Sequence, residues 1–345
     1  MLVRRTFMAS VAIAVALFSV LGLTTATCAW AQQPAKLPKV AILSPRAPTA
    51  QACGPNMQGT SLRCFLDAMV ELGYVEGKNV SFEFRYAEDD YKRLPALAAE
   101  LVRLRPDVIY TAGTPGVTAA MNATTTIPII VGPAGEETLT RLAGNLAHPT
   151  GNVTGFTLDS VEQVLKCLQL LKELAPRASR VALLVNPDNP NFRDYPGALV
   201  PAATQMGLTF IRIEARSLSD LPQAFAAIAA SGANAIYFFD DALLAGTGSG
   251  RRQVSEWALK QKLPLASSQA RVASDGGLLS FGTDLNALNR RAATYVDKVL
   301  KGVKPVDLPV ERPSVFNLSV NVKTAKALGI VIPQSLLLRA DEVIQ

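Results

Sequence analysis

The sequence predicts an α/β protein made of two doubly wound parallel-sheet lobes, and three observations carry that expectation. Apolar runs of strand length alternate with helix-period segments from about residue 38 to the C-terminus. That rhythm runs once, pauses at a short strand near residue 152, and then starts again, as two stacked α/β units would require. The chain has 345 residues, 49% hydrophobic and 18% charged, which is enough for two separate cores.

The clearest unit is Val108–Met121. An apolar run ends in Gly113, Thr114 stands where a helix N-cap is expected, and Pro115 stands at the first helical position. Such a turn presents unpaired N–H groups at the positive end of a helix dipole and suits a carboxylate or phosphate. The other reading of Thr114 is a cap and nothing more.

In order, Lys39–Leu43 reads as a strand, Ser61–Leu72 as a helix stopped by Gly73, and Val80–Tyr86 as an alternating strand. Leu94–Leu104 carries Leu94, Leu97, Ala98, Leu101 and Val102 at helical spacing. After the central turn come Ile129–Val131 and a crossing strand at Asn152–Phe156. The second round has helices at Val161–Leu174, Tyr195–Met206, Leu218–Ala230 and Arg251–Lys260. Its strands are Arg180–Val185, Leu208–Glu214, Ala235–Phe239, Leu265–Ser267 and Leu278–Phe281. A helix at Asn286–Leu300, a strand at Val310–Leu318 and a short helix at Val322–Leu328 close the chain.

Residues 1–31 read as an export signal: Arg4-Arg5, an apolar core from Val11 to Leu23, and Ala29-Trp30-Ala31 as the cleavage site. The core is too short for a good membrane span. Arg4-Arg5-Thr6-Phe7-Met8 resembles a twin-arginine signal, and an ordinary secretory signal fits equally well. The expected location is the periplasm. There Cys53 and Cys64 could be bridged or could remain thiols, and Cys167 lies on an apolar helix face.

Net charge is +6 with no basic block or aromatic-basic stripe, so no nucleic-acid partner is implied. His148 is the only histidine, in a loop before the crossing strand, and no cluster has metal-ligand spacing. Catalytic residues, a metal and a cofactor are therefore not expected. In open α/β sheets ligands lie outside the carboxyl ends of the strands. The loops there supply the candidate ligand-binding residues: Ser44, Thr114, Pro115, Gly132 and Pro133 in the first half, with Asn186, Asn189, Asp240, Asp241 and Ser267 in the second. For the acidic pair, contact with a ligand ammonium competes with capping of the following helix. Glu136-Glu137 suits a solvated helix start, Gly246–Gly250 reads as a turn, and Tyr110, Phe238 and Phe239 read as core.

Several segments carry a resemblance. Lys39–Ser44, Glu71-Leu72-Gly73-Tyr74-Val75-Glu76-Gly77-Lys78-Asn79, Arg93–Val102, Gly151-Asn152-Val153-Thr154-Gly155, Ala292–Gly302, and the tail from Val320 to Ile344 occur in a familiar order. They resemble the ABC-transporter substrate-binding proteins of the tryptophan-binding type. The resemblance implies a type I periplasmic-binding-protein fold with three crossings, placed by analogy at Asn152–Thr157, Ser280–Thr283 and Lys304–Glu311. Lobe 1 would be residues 38–154 plus 282–306, and lobe 2 residues 155–281 plus 307–345. The chain departs from relatives at Gly135-Glu136-Glu137, where Gly-Asp-Pro is common, and at Ser267-Ser268, where an aromatic is frequent. An insertion around Cys53 also lengthens the first loop. An aromatic ligand is therefore not carried over. The expected function is capture of a small polar solute, an amino acid or related carboxylate, by hinge closure, for delivery by a monomeric receptor to an ABC permease. A periplasmic sensory receptor is the alternative.

Overall fold

The computed structural model describes residues 36–46, 61–158, 160–192, 195–246 and 248–345. The expected export signal and the Cys53 half of the proposed disulfide lie outside the described residues. No described helix is long and apolar enough to cross a membrane.

The first half holds strands β1 (Lys39–Ser44), β2 (Ser81–Tyr86), β3 (Val108–Thr111), β4 (Ile129–Gly135) and β5 (Val153–Leu158). Its helices are α1 (Ser61–Glu71), α2 (Leu94–Arg103), α3 (Thr114–Ala123) and α4 (Glu136–Ala143). The strands form one parallel sheet in the order β2-β1-β3-β4-β5. β1 and β3 are apolar along nearly their whole length because helices cover both faces of a parallel sheet. Leu94, Ala98 and Leu101 of α2 close one face together with Val117 and Ala120 of α3. Phe65 and Met69 of α1 close the other together with Ala292 and Val296 from near the C-terminal end.

The second half comprises α5 (Val161–Leu174), β6 (Arg180–Val185), α6 (Tyr195–Gln205), β7 (Thr209–Glu214), α7 (Leu221–Ala230), β8 (Ala235–Phe238), α8 (Gly248–Lys260), β9 (Leu265–Ser267) and β10 (Leu279–Thr283). After these come α9 (Leu285–Leu300), β11 (Phe316–Asn321), α10 (Val322–Ala327), α11 (Gln334–Leu337) and β12 (Glu342–Ile344). The second sheet runs β12-β11-β10-β9-β8-β6-β7. It is parallel except that β11 meets β10 antiparallel, a single reversed strand in the expected parallel-sheet lobe. The chain passes between the sheets three times: between Leu158 and Val161, between Thr283 and Leu285 into α9 on the first sheet, and between Glu311 and Phe316 on the way back.

Local chemistry explains the boundaries. The Ser160 hydroxyl accepts the Gln163 N–H to start α5, and Asp284 accepts from Asn286 and Ala287 to start α9. Gly155 has φ +145, and a Cβ there would lie 2.1 Å from the Val131 carbonyl oxygen, so only glycine lets β5 pass the bulge in β4.

Several sequence-based boundaries move. β11 begins at Phe316 rather than Val310, because Pro309 and Pro313 cannot donate to a ladder and Glu311 makes only an isolated bridge with Phe156. The expected turn at Gly246–Gly250 gives way to a helix from Gly248. Thr114 is not the N-cap of α3: Gly113 occupies that position with φ +79, and Thr114 is the first helical residue. α11 and β12 have no counterpart in the sequence reading.

Candidate functional site

In each sheet the strand order reverses once, between β1 and β3 in the first and between β6 and β8 in the second. A crevice opens at the carboxyl end of such a reversal because the loops on its two sides turn to opposite faces. Here both crevices open onto one cavity of about 130 Å³. The first sheet contributes Ser44 at the end of β1 with Pro45 and Arg46 after it, Gly113, Thr114 and Pro115 after β3, and Pro133 to Gly135 at the end of β4. The second contributes Asn189 and Asn191 after β6 and Asp240, Ala242 and Gly246 after β8. Leu62, Tyr91 and Tyr110 add an apolar wall.

Six of the ten sequence-predicted residues line this cavity: Ser44, Thr114, Pro115, Pro133, Asn189 and Asp240. Ser44 folds its own loop, its hydroxyl donating to Arg46 O at 3.1 Å and accepting from Arg46 N at 3.2 Å. The Thr114 hydroxyl accepts the Gly135 N–H at 3.0 Å and so ties α3 to the end of β4. Gly132, Asn186, Asp241 and Ser267 are not in the lining. A Cβ at Gly132 would meet Asn289 Oδ1 at 2.8 Å and Tyr110 OH at 2.9 Å, so Gly132 makes room for that buried pair. Ser267 donates to Phe238 O at 2.5 Å and accepts from Gln269 N at 3.0 Å, so its hydroxyl is spent on the β8–β9 loops.

The two adjacent aspartates separate sharply. Asp241 is 1% exposed and turned inward. Its Oδ2 accepts from Asn189 Nδ2 at 2.8 Å and from Tyr91 OH at 3.1 Å, and its Oδ1 from Asn186 Nδ2 at 3.3 Å and the Leu243 and Leu244 N–H groups at 3.0 and 3.1 Å. Burial pushes its carboxyl pKa up, and hydrogen bonds from Asn189, Leu244, Asn186 and Tyr91 hold it down. Asp241 thus caps the following turn and pins the β6 loop, with no oxygen left for a solute.

Asp240 is half-buried and faces the cavity. Burial raises its carboxyl to about 7, and the neighbouring Asp241 charge pushes the same way, while Arg251 and Arg46 pull it down. Arg251 is buried, donating to Ala245 O at 2.8 Å and paired with Asp275 at 2.6 Å.

Sequence reasoning did not select Arg46, Tyr91, Tyr110 or Asn191. Arg46 donates through Nη1 to Gly246 O at 2.6 Å, linking the β1 loop to the turn after Asp241. Burial lowers its pKa, as does the charge of Arg251, while Asp89, Tyr91 and Asp240 raise it. Tyr91 reaches Asp241 across the cleft from the single-turn helix Tyr91–Arg93, held neutral by burial and by that aspartate's charge. Tyr110 is core, as expected, stacked on Phe65 at 3.7 Å between centroids, yet its ring also forms cavity wall. Tyr91 and Tyr110 therefore restore part of the aromatic surface that the sequence suggested was missing. Among the described residues no group of three or more His, Cys, Asp or Glu side chains is placed to hold a metal.

Comparison with known proteins shows what the chain as a whole is similar to. A "Tyrosine-binding protein" of Clostridioides difficile (strain R20291) is 29% identical over 264 residues, covering 76% of this chain and 75% of that protein. The crystal structure of an ABC domain in complex with L-Trp from Streptococcus pneumoniae superposes with a TM-score of 0.77 at 26% identity, covering 89% of this chain and all of that one. A leucine-binding protein of Thermotoga maritima, 13% identical with a TM-score of 0.56 over 77% of this chain and 83% of its own, shares the fold, the type I periplasmic-binding architecture. Residues 54–344 match the model of a family described as ABC transporter substrate binding protein. With most of its length inside that match, the chain belongs to the family of ABC transporter substrate-binding proteins.

Proposed function

We propose that the chain captures a free amino acid, one with an apolar or aromatic side chain, between its two sheets for uptake through an ABC importer. The observation that carries this reading is a pair of groups of opposite ionised charge on opposite walls of one small cavity, the Arg46 guanidinium from the first half and the Asp240 carboxyl from the second. An amino acid presents that pair of charges in mirror image. Its carboxylate meets Arg46 and the first free N–H groups of α3, and its ammonium meets Asp240. Its side chain lies along Leu62, Pro45 and Tyr110. A relative that binds tyrosine by name and one crystallised with L-Trp support the choice of solute class.

Capture works through closure. Arg46 to Gly246 and Tyr91 to Asp241 are contacts that exist only when the two walls meet. A solute that binds both walls favours the closed arrangement by its differential affinity for it. A membrane permease then reads the closed form. Export by the residue 1–31 signal places the mature protein, acting as a monomer, in the periplasm.

The test is a thermal-shift screen of the mature protein, unfolded and refolded to strip bound solute, against the standard amino acids, their deaminated acids, amines and sugars. A binder at about 100 times its dissociation constant adds roughly 2.7 kcal/mol. The expected result is a rise in melting temperature confined to amino acids, largest for those with apolar or aromatic side chains. A rise with sugars alone, or with no amino acid, contradicts the reading.

A further inference from the structure

Asn191 stands out as a polar group that the protein leaves unsatisfied. It is 6% exposed, it lines the cavity, and its side-chain oxygen Oδ1 is buried with no hydrogen-bond partner. A buried acceptor left unmade costs more than an average hydrogen bond returns, so a structure that keeps one at a cavity wall has a use for it.

Its position is built, not incidental. The Asp241 carboxylate accepts from Asn189 Nδ2 at 2.8 Å, and Asn189 Oδ1 in turn accepts the Asn191 N–H at 3.1 Å. The same carboxylate accepts from Tyr91 OH at 3.1 Å, so the chain of bonds that fixes the Asn191 backbone begins on the opposite wall. The amide oxygen then rests against Gly135, where a Cβ would lie only 1.8 Å from it. Only a residue without a side chain at 135 lets the two walls approach with Asn191 between them. The sequence places glycine there although the next two residues, Glu136 and Glu137, begin a helix.

We infer that Asn191 is a specificity-determining residue: its Oδ1 accepts a hydrogen bond from the ammonium of the bound amino acid, beside Asp240, and thereby ties closure to solutes that carry an amine. This inference rests on the proposed amino-acid function. An ammonium has three donors in a fan, and Asp240 satisfies one side of it. A second acceptor on the same lobe completes its coordination as the cleft shuts. A solute with the carboxylate but without the amine leaves Asn191 buried and unpaired, and closure around it is penalised.

The experiment is calorimetric titration of the wild type and of Asn191→Leu, Asn191→Asp and Gly135→Ala with the best amino acid of a twenty-amino-acid panel and with its deaminated acid. Each variant is first shown to be folded by its melting profile. Asn191→Leu should weaken the amino acid at least tenfold while leaving the deaminated acid no weaker, and tighter where the unpaired amide had opposed closure, so the ratio between the two narrows. Asn191→Asp, which keeps an acceptor in the same shape, should hold the amino acid within about threefold of the wild type, because a charged acceptor suits an ammonium. Gly135→Ala pushes the amide aside and should behave like Asn191→Leu. A purely packing role gives the reverse order, with leucine tolerated and aspartate harmful, and that result overturns the inference. Loss of binding in Asn191→Asp overturns it too, since the amide would then act as a donor. Wild type that binds amino acids but shows an unchanged ratio in Asn191→Leu sinks the inference alone. Wild type that binds no amino acid sinks it together with the function on which it rests.

Discussion

Asp240→Asn should weaken amino-acid binding by about 100-fold, roughly 3 kcal/mol, as expected when one partner of a desolvated charge pair is lost. The same change should raise the melting temperature of the solute-free protein by a few degrees. Both effects come from one cause. The Asp240 carboxyl is raised to about 7 by burial and by Asp241, so the folded protein holds a proton that the unfolded chain has released. A raised carboxylate makes the fold most favourable below the unfolded value near 4, and that advantage is lost as pH climbs toward 7, by up to about 1.4 kcal/mol per pH unit. Asparagine removes the titration and with it the loss of stability at neutral pH. Binding moves the opposite way, because the ammonium needs the ionised form. Wild-type affinity should therefore fall as pH drops from about 8 toward about 5, approaching tenfold per unit below the raised value, while the Asp240→Asn variant stays flat across that range. Titration calorimetry at several pH values reads both curves. A wild-type affinity independent of pH would show that Asp240 does not meet the solute.

Asp241→Ala should instead damage the fold. It strands the Asn186 and Asn189 amides, the Tyr91 hydroxyl and the Leu243 and Leu244 N–H groups, all of which donate to this one carboxylate in a buried place. Unsatisfied buried donors cost about 1–3 kcal/mol each, and with relaxation and water entry the net loss should be about 3–5 kcal/mol. Urea denaturation followed by circular dichroism measures it as a lower midpoint at unchanged slope. Binding suffers indirectly, because Asn189 and Asn191 lose the anchor that aims them. Wild-type stability in Asp241→Ala would mean that this hub contributes nothing to the fold.

The contrast between these neighbours shows where sequence reading stops. The strand-turn-helix rhythm and the loops that matter were legible, because periodicity and glycine or proline punctuation act locally. Which of two adjacent aspartates faces the cavity was not. Both follow β8, beyond its last residue Phe238, where the two-residue alternation of a strand no longer dictates direction. Arg46 and Tyr91 were missed for a related reason. Each is aimed by a partner about 150 to 200 positions away, Gly246 for one and Asp241 for the other. Asn191 lies in the loop that supplied Asn186 and Asn189, and what separates it from Asn186 is its place in the cavity wall with a buried, unpaired oxygen. Tyr110 sits in a strand covered on both faces, so no exposed side marked it. Thr114 was placed one residue outside its helix because Gly113 can adopt a positive φ that threonine avoids.

The measurement that bears most directly on the account is a three-way calorimetric comparison of L-tyrosine, tyramine and p-hydroxyphenylpropionate on the mature protein. The three share a ring and differ only in which charges they carry. If Arg46 and Asp240 read the two ends of an amino acid, L-tyrosine should bind at least about 100-fold more tightly than either single-charge analogue. Equal affinity for tyramine or for the propionate would show that one of the two walls does not read charge, and the account of this cavity as an amino-acid site would fail.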